Sequence, residues 1–225
     1  MHNYTRHGRM TPIFSFVSQK GGAGKSSLAY AIAWELQRRH GPTLIVDLDT
    51  PQFSLVKNAA IAREKGYSPP TVMTLSLPLR DTLPRAARDF AAVVIDTPGR
   101  SGDHQRAAMV ASDAVFVPVV FDGMHTLAVT DTLAELASAR KLKRSLRAAI
   151  IITQQMPRAE LSDLARETLE KLGLPVLGTE VFSRTAWRNA NASHLALGVE
   201  DPWCRAAQEM KALTDDIEKF TKGSK

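Results

Sequence analysis

Short, wholly apolar runs alternate along this chain with longer amphipathic stretches, and that alternation limits its fold more than any other feature. The runs fall at 13–17, 43–46, 71–75, 92–95, 114–120, 148–152 and 176–181, the amphipathic stretches at 26–39, 103–111, 126–141, 159–172 and 203–220. A strand with one face in water alternates apolar and polar residues, whereas a run apolar throughout is buried on both faces. Buried strands alternating with helices predict an α/β fold: a doubly wound, mostly parallel sheet flanked by helices. In such sheets ligands bind beyond the carboxyl ends of the strands, so polar motifs at those ends mark the candidate site. The 225 residues fit one domain over 11–225, preceded by an arm at 1–10 that carries Arg6 and Arg9 and is expected to be disordered.

The first run leads into SQKGGAGKSS and then into the apolar-periodic SSLAYAIAWELQRR. Strand, glycine-rich turn and helix in that order are the context a phosphate loop requires. Gly21, Gly22 and Gly24, with Ala23 between them, allow the backbone to turn with its N–H groups inward, as an anion nest. The helix N-terminus behind it adds partial positive charge. Lys25 is then placed to reach the β- and γ-phosphates, Ser26 to ligate Mg²⁺ and Ser27 to donate to the α-phosphate. The loop departs from G-x-x-x-x-G-K-[ST] in two ways: Gln19 stands where the first glycine belongs, and Lys20 is a second lysine.

A loop that serves hydrolysis also needs carboxylates near Mg²⁺. TLIVDLDT ends its strand with Asp47 and Asp49, two apart and so on one side of an extended chain. AAVVIDTPG ends its strand with Asp96, which has the form of a Walker B carboxylate, and Gly99 follows within reach of a γ-phosphate. All three aspartates fall where the strand-end rule puts a site. A guanine reader would show N/T-K-x-D after a late strand; IIITQQMPR stands there instead, which favours ATP over GTP.

Composition excludes several classes. One cysteine, Cys204, leaves no disulfide framework and no zinc or iron–sulfur site built from paired cysteines within one chain, and it suits a reducing cytoplasm. No run of about 18 apolar residues predicts a membrane span. The formal charge of +6 favours a polyanionic partner, nucleic acid ahead of membrane.

Taken together, KGGAGKSS, VDLDTPQ, VVIDTPG, DAVFVPV and the late stretch SRTAWRNANASHLALGVED resemble the ParA/MinD family of deviant-Walker P-loop ATPases, the small ParA branch in particular. The resemblance runs from Pro12 to Phe220. It implies a homodimer that sandwiches two ATP molecules with Mg²⁺. Lys20 matches the signature lysine that reaches the partner's phosphates, Asp49 the carboxylate that orients the attacking water, and Asp47 one that supports the Mg²⁺ shell together with Ser26 and Asp96. It also implies non-specific DNA binding, association with the nucleoid, a ParB-like or other stimulating partner, and slow turnover that partitions or positions DNA or other large cargo. Thr50 is the departure, because it separates Asp49 from Pro51-Gln52 where the family has proline directly after the aspartate.

Two basic groups are candidates for DNA contact: Lys141, Lys143 and Arg144 within RKLKRSLR, where five of eight residues are basic, and the pair Arg184 and Arg188. A terminal amphipathic helix raises a MinD-like, membrane-associated alternative. Its stripe of Trp203, Ala207, Met210, Leu213, Ile217 and Phe220 faces a polar side of mixed charge, so packing on the sheet is expected instead. A nucleotide-dependent module with negligible turnover, such as an auxiliary DNA-transfer factor, is the other alternative. Iron–sulfur carriers lack their cysteines here, tyrosine kinases of this class their tyrosine-rich tail, and dethiobiotin-synthetase-like ligases do not account for DLDTPQ.

Overall fold

The structure is a computed structural model and describes residues 5–6, 9–19, 21–49, 52–99, 102–121, 125–156 and 159–223. Lys20, Thr50 and Pro51 therefore lie outside the described residues. Six strands form the central sheet: β1 Ile13–Phe16, β2 Thr43–Asp47, β3 Thr71–Met73, β4 Ala92–Asp96, β5 Ala114–Val120 and β6 Arg147–Thr153. Their spatial order is β3-β2-β4-β1-β5-β6, and every pairing is parallel. The helices are α1 Lys25–His40, α2 Ser54–Glu64, α3 Leu79–Ala87, α4 Gly102–Ala111, α5 His125–Leu142, α6 Ala159–Glu170, α7 Thr185–Ser193 and α8 Arg205–Lys222. Outside the sheet, Thr5–Arg6 pairs antiparallel with Arg9–Met10.

The uninterrupted apolar runs give a sheet with two cores. Phe14, Phe16, Ile45, Val94, Phe116 and Ile151 point to the side covered by α1 and α8. Their neighbours in sequence point the other way, Ile13, Val46 and Val93 under α3 and α4, Val115, Ile150 and Ile152 under α5 and α6. Period 2 along the strand assigns each residue to a face, and both faces are dry.

Three helices are absent from the sequence expectation. α3 has Pro84 in its interior, and α7 carries two asparagines and begins and ends on threonine and serine, all weak helix signals. α2 directly follows the Asp49 segment, whose motif masks its periodicity. The expected strand at 176–181 is reduced to two isolated bridges beside β6, Ile150 with Val176 and Gln155 with Phe182. Between them the chain leaves the ladder at Thr179, whose N–H and hydroxyl both donate to Asp216 Oδ2 at 2.8 Å.

α8 buries Ala207, Met210, Leu213 and Ile217, as its stripe predicts. Trp203 does not join them. The helix starts later, with Cys204 as its N-cap, and Trp203 stands outside it at 78% exposure. Asp201 Oδ1 accepts from its N–H, and Lys211 Nζ lies 5.2 Å from its ring. The apolar face of α8 thus packs into the core, with Phe220 partly buried at its end. No helix among the described residues is long and apolar enough to cross a membrane.

Candidate nucleotide-binding site

Parallel strands bring their carboxyl ends to one edge, and the three predicted motifs meet there. β4 lies between β1 and β2, with Phe16 in register with Asp96 and Asp96 in register with Asp47. The glycine loop leaves β1 and enters α1 at Lys25. Gly22 and Gly24 each sit at φ 83, the left-handed region that glycine alone occupies without strain.

Lys25 is buried, and burial lowers its pKa from the ordinary lysine value while the Asp96 and Asp49 carboxylates oppose the drop. Asp96 is fully buried, and burial pushes its pKa up to about 7. Asp47 and Asp49 add to that rise, whereas Ser26 and Lys25 counter it. No donor meets hydrogen-bond geometry at either Asp96 carboxylate oxygen, although the Ser26 hydroxyl lies near enough to favour the ionised form. Buried acceptors so poorly served are costly, and a hard cation that takes oxygen ligands would satisfy them. The oxygen donors present fit Mg²⁺, which Asp96 and Ser26 would hold. Among the described residues, no group of three or more His, Cys, Asp or Glu is placed to hold a metal by itself.

Asp47 differs. Its Oδ1 accepts from Asp49 N at 3.0 Å and its Oδ2 from Leu55 N at 3.2 Å. Burial raises its pKa, while these backbone bonds and one from Val56 resist the rise. Asp47 therefore ties the strand end to the first turn of α2. Asp49 is partly exposed, and its carbonyl accepts from Phe53 N at 3.0 Å, with Phe53 at φ 46.

Further residues escaped the sequence reading. Thr97 Oγ1 donates to Phe16 O at 2.8 Å, linking the ends of β4 and β1. Buried Gln105 Nε2 bridges Ser18 O at 3.2 Å and Pro98 O at 2.8 Å. Thr153 Oγ1 donates to Ala23 O at 3.2 Å, and Gln154 Nε2 to Gly22 O. The strand-end rule that found the aspartates also points to Thr153 and Gln154, but neutral side chains give no charge signal.

Beside the loop lies a cleft of about 340 Å³, lined by Gly24, Ser27, Gln154, Phe182, Arg184 and Arg188 among others. The arginine pair expected on a DNA surface is thus on the wall of this cleft. Arg184 Nε donates to Glu209 Oε1 at 2.7 Å, and Glu209 Oε2 accepts from Phe182 N at 3.3 Å. Ser27 Oγ reaches Asn191 Oδ1 of α7 at 3.4 Å. The other basic group lies at the opposite edge of the sheet, where α5 ends and β6 begins. There Lys143 Nζ donates to Ser112 O at 2.5 Å, and burial lowers its pKa. Arg147 donates to Thr221 O and Gly223 O. Lys141 and Arg144 are exposed.

The family model for the CobQ/CobB/MinD/ParA nucleotide binding domain matches residues 14–197, which takes in the loop, all three aspartates and the cleft wall. The chain belongs to that family. Among its CobQ/CobB/MinD/ParA relatives is the maintenance of carboxysome distribution protein A of Halothiobacillus neapolitanus, 32% identical over 210 residues that cover 88% of this chain and 92% of that protein. The cell division protein PomZ of Myxococcus xanthus is 26% identical, over 90% of this chain and 76% of that one. A putative plasmid partition protein of Borrelia burgdorferi bound to AMPPNP superposes with a TM-score of 0.73 at 18% identity, covering 93% and 99% of the two chains. Cobyrinic acid a,c-diamide synthase of Mycobacterium smegmatis, bound to an ATP analogue and magnesium, gives 0.74 at 18% identity over 96% and 97%. One fold carries a partition protein and a synthase, so it does not by itself name an activity.

Proposed function

We propose that the protein is an Mg²⁺-dependent, dimerising ATPase of the positioning type, which binds DNA without sequence preference and distributes a large cargo through slow cycles of hydrolysis. The observation that carries this reading is the fully buried Asp96 carboxylate, which no backbone N–H reaches, beside Ser26 and Lys25 and behind a loop that opens with the additional Lys20.

Each residue has a role in this reading. Ala23 and the loop glycines offer backbone N–H groups to the phosphates, Lys25 adds charge at the β- and γ-phosphates, and Ser27 holds the α-phosphate. Bound Mg²⁺ would neutralise charge on the phosphates, with Ser26 and Asp96 holding it and Asp47 supporting its shell through water while fixing α2. Asp49 orients the attacking water. Lys20 enters the second subunit's site, which ties chemistry to dimerisation; a cation on the transferring group contributes about 10³–10⁵ in rate in related systems. The cleft bounded by Phe182, Arg184 and Asn191 takes the base, adenine in preference to guanine. A ParB-like or other partner stimulates turnover. The similarity to a protein named for carboxysome distribution supports a large protein assembly as cargo beside DNA. The packed α8 speaks against the membrane-bound variant.

Hydrolysis of ATP with Mg²⁺, measured with and without duplex DNA, tests this reading. Asp49→Ala is expected to keep nucleotide binding and lose turnover. Tight ATP binding by wild type with no turnover under any condition would favour the non-cycling module instead.

A further inference from the structure

In a trans peptide the C=O of one residue and the N–H of the next point in opposite directions. An anion nest turns its N–H groups inward, so its carbonyls must face out, where each needs a donor. The two residues that follow one another at the end of β6 provide two such donors. Thr153 Oγ1 donates to Ala23 O at 3.2 Å, which fixes the peptide carrying the Gly24 N–H. Gln154 Nε2 donates to Gly22 O, which fixes the peptide carrying the Ala23 N–H.

Ala23 itself is buried and Gly24 O accepts from Leu28 N at 2.9 Å, but the glycines have open space around them. A Cβ placed on Gly21 or Gly22 would meet no atom within 4 Å, and on Gly24 the one neighbour is Gln154 Nε2 at 3.8 Å. Glycine backbones supply no stiffness of their own, so the direction of these amides is set from outside. Thr153 is buried and its hydroxyl has no water to prefer. Gln154 adopts φ 53, a conformation strained for a non-glycine residue that persists where surroundings impose it. The bend lays its exposed side chain over the loop.

We propose that Thr153 and Gln154 are positioning residues for nucleotide binding: acting through the Gly22 and Ala23 carbonyls, they hold the amides of Ala23 and Gly24 turned toward the β-phosphate. The inference rests on the nucleotide-binding reading of the loop.

Calorimetric ADP binding to the full chain in Mg²⁺ tests it, alongside the melting temperature without nucleotide. Thr153→Val keeps shape and loses the hydroxyl, Thr153→Ser keeps the hydroxyl, and Gln154→Ala removes an exposed amide. Loss of one net hydrogen bond predicts that Thr153→Val and Gln154→Ala each weaken ADP by about 5-fold, with Thr153→Ser close to wild type. Gln154→Ala is expected to leave the nucleotide-free melting temperature unchanged. It carries the test if Thr153→Val does not fold. ADP affinity equal to wild type in Gln154→Ala, and in Thr153→Val where it folds, would overturn the inference while leaving the nucleotide site intact. A wild-type protein that bound no ADP would overturn the underlying reading, and the inference with it.

Discussion

Asp47 and Asp96 are register partners on adjacent parallel strands, both fully buried, and their carboxylates are in opposite hydrogen-bonding states. Asp47 accepts from the backbone N–H groups of Asp49 and Leu55, whereas no backbone N–H donates to Asp96. Neighbouring strands thus deliver one aspartate that organises the fold and one that the proposed function assigns to Mg²⁺.

The first consequence is a pH dependence. An unfolded Asp96 ionises near the ordinary value of 3.8 and the folded one near 7, so the folded state binds the extra proton between those limits. Its contribution to stability is present below about pH 4, falls as pH rises, and is fully lost above about 7. Asp96→Asn is therefore expected to stabilise the nucleotide-free protein at pH 8 by a few kcal/mol, on the order of 4 at most, and by much less at pH 4. Urea denaturation at both pH values measures this, and the same variant is expected to lose Mg²⁺-dependent hydrolysis.

For Asp47 the expected loss is structural. Asp47→Ala leaves the N–H groups of Asp49 and Leu55 without their acceptor and frees the start of α2. A cost of about 2–3 kcal/mol in unfolding free energy is expected, with faster amide exchange across 54–58.

Glu209 secures the outer wall of the cleft by accepting from Phe182 N and Arg184. Glu209→Ala is expected to weaken ATP several-fold, about 1 kcal/mol, without changing the rate constant at saturation. A kcat/KM loss confined to KM in steady-state kinetics is the signature.

DNA binding is expected to follow exposed charge. Arg184→Ala should weaken nucleotide before it weakens DNA, because its guanidinium faces Glu209 and the cleft. Lys141→Ala/Arg144→Ala should lower affinity for any duplex and reduce the slope of log K against log salt by about 2. Unchanged slopes in fluorescence anisotropy titrations would place the DNA surface elsewhere.

The sheet, its layers and the loop were legible because few folds accommodate uninterrupted apolar runs punctuated by a glycine-lysine-serine turn. Ser26, Lys25, Asp47 and Asp96 arrive at one edge, as strand-end reasoning requires. What the residues did not disclose depends on partners distant in sequence. Asp47 caps a helix that propensity did not reveal, Arg184 finds Glu209 25 positions away, and Thr153 meets Ala23 across 130. Trp203 continues a helical stripe by spacing, but Cys204 caps the helix and leaves it outside.

The proposed cycle turns on ATP joining two copies of the chain through Lys20. The direct measurement is molar mass by light scattering, with saturating ATP and Mg²⁺, for wild type and Lys20→Ala. Wild type is expected to double its mass with ATP and to remain single with ADP, and Lys20→Ala to bind ATP yet stay single. A wild-type protein saturated with ATP that stayed single, or a Lys20→Ala variant that dimerised and hydrolysed like wild type, would contradict the proposed cycle.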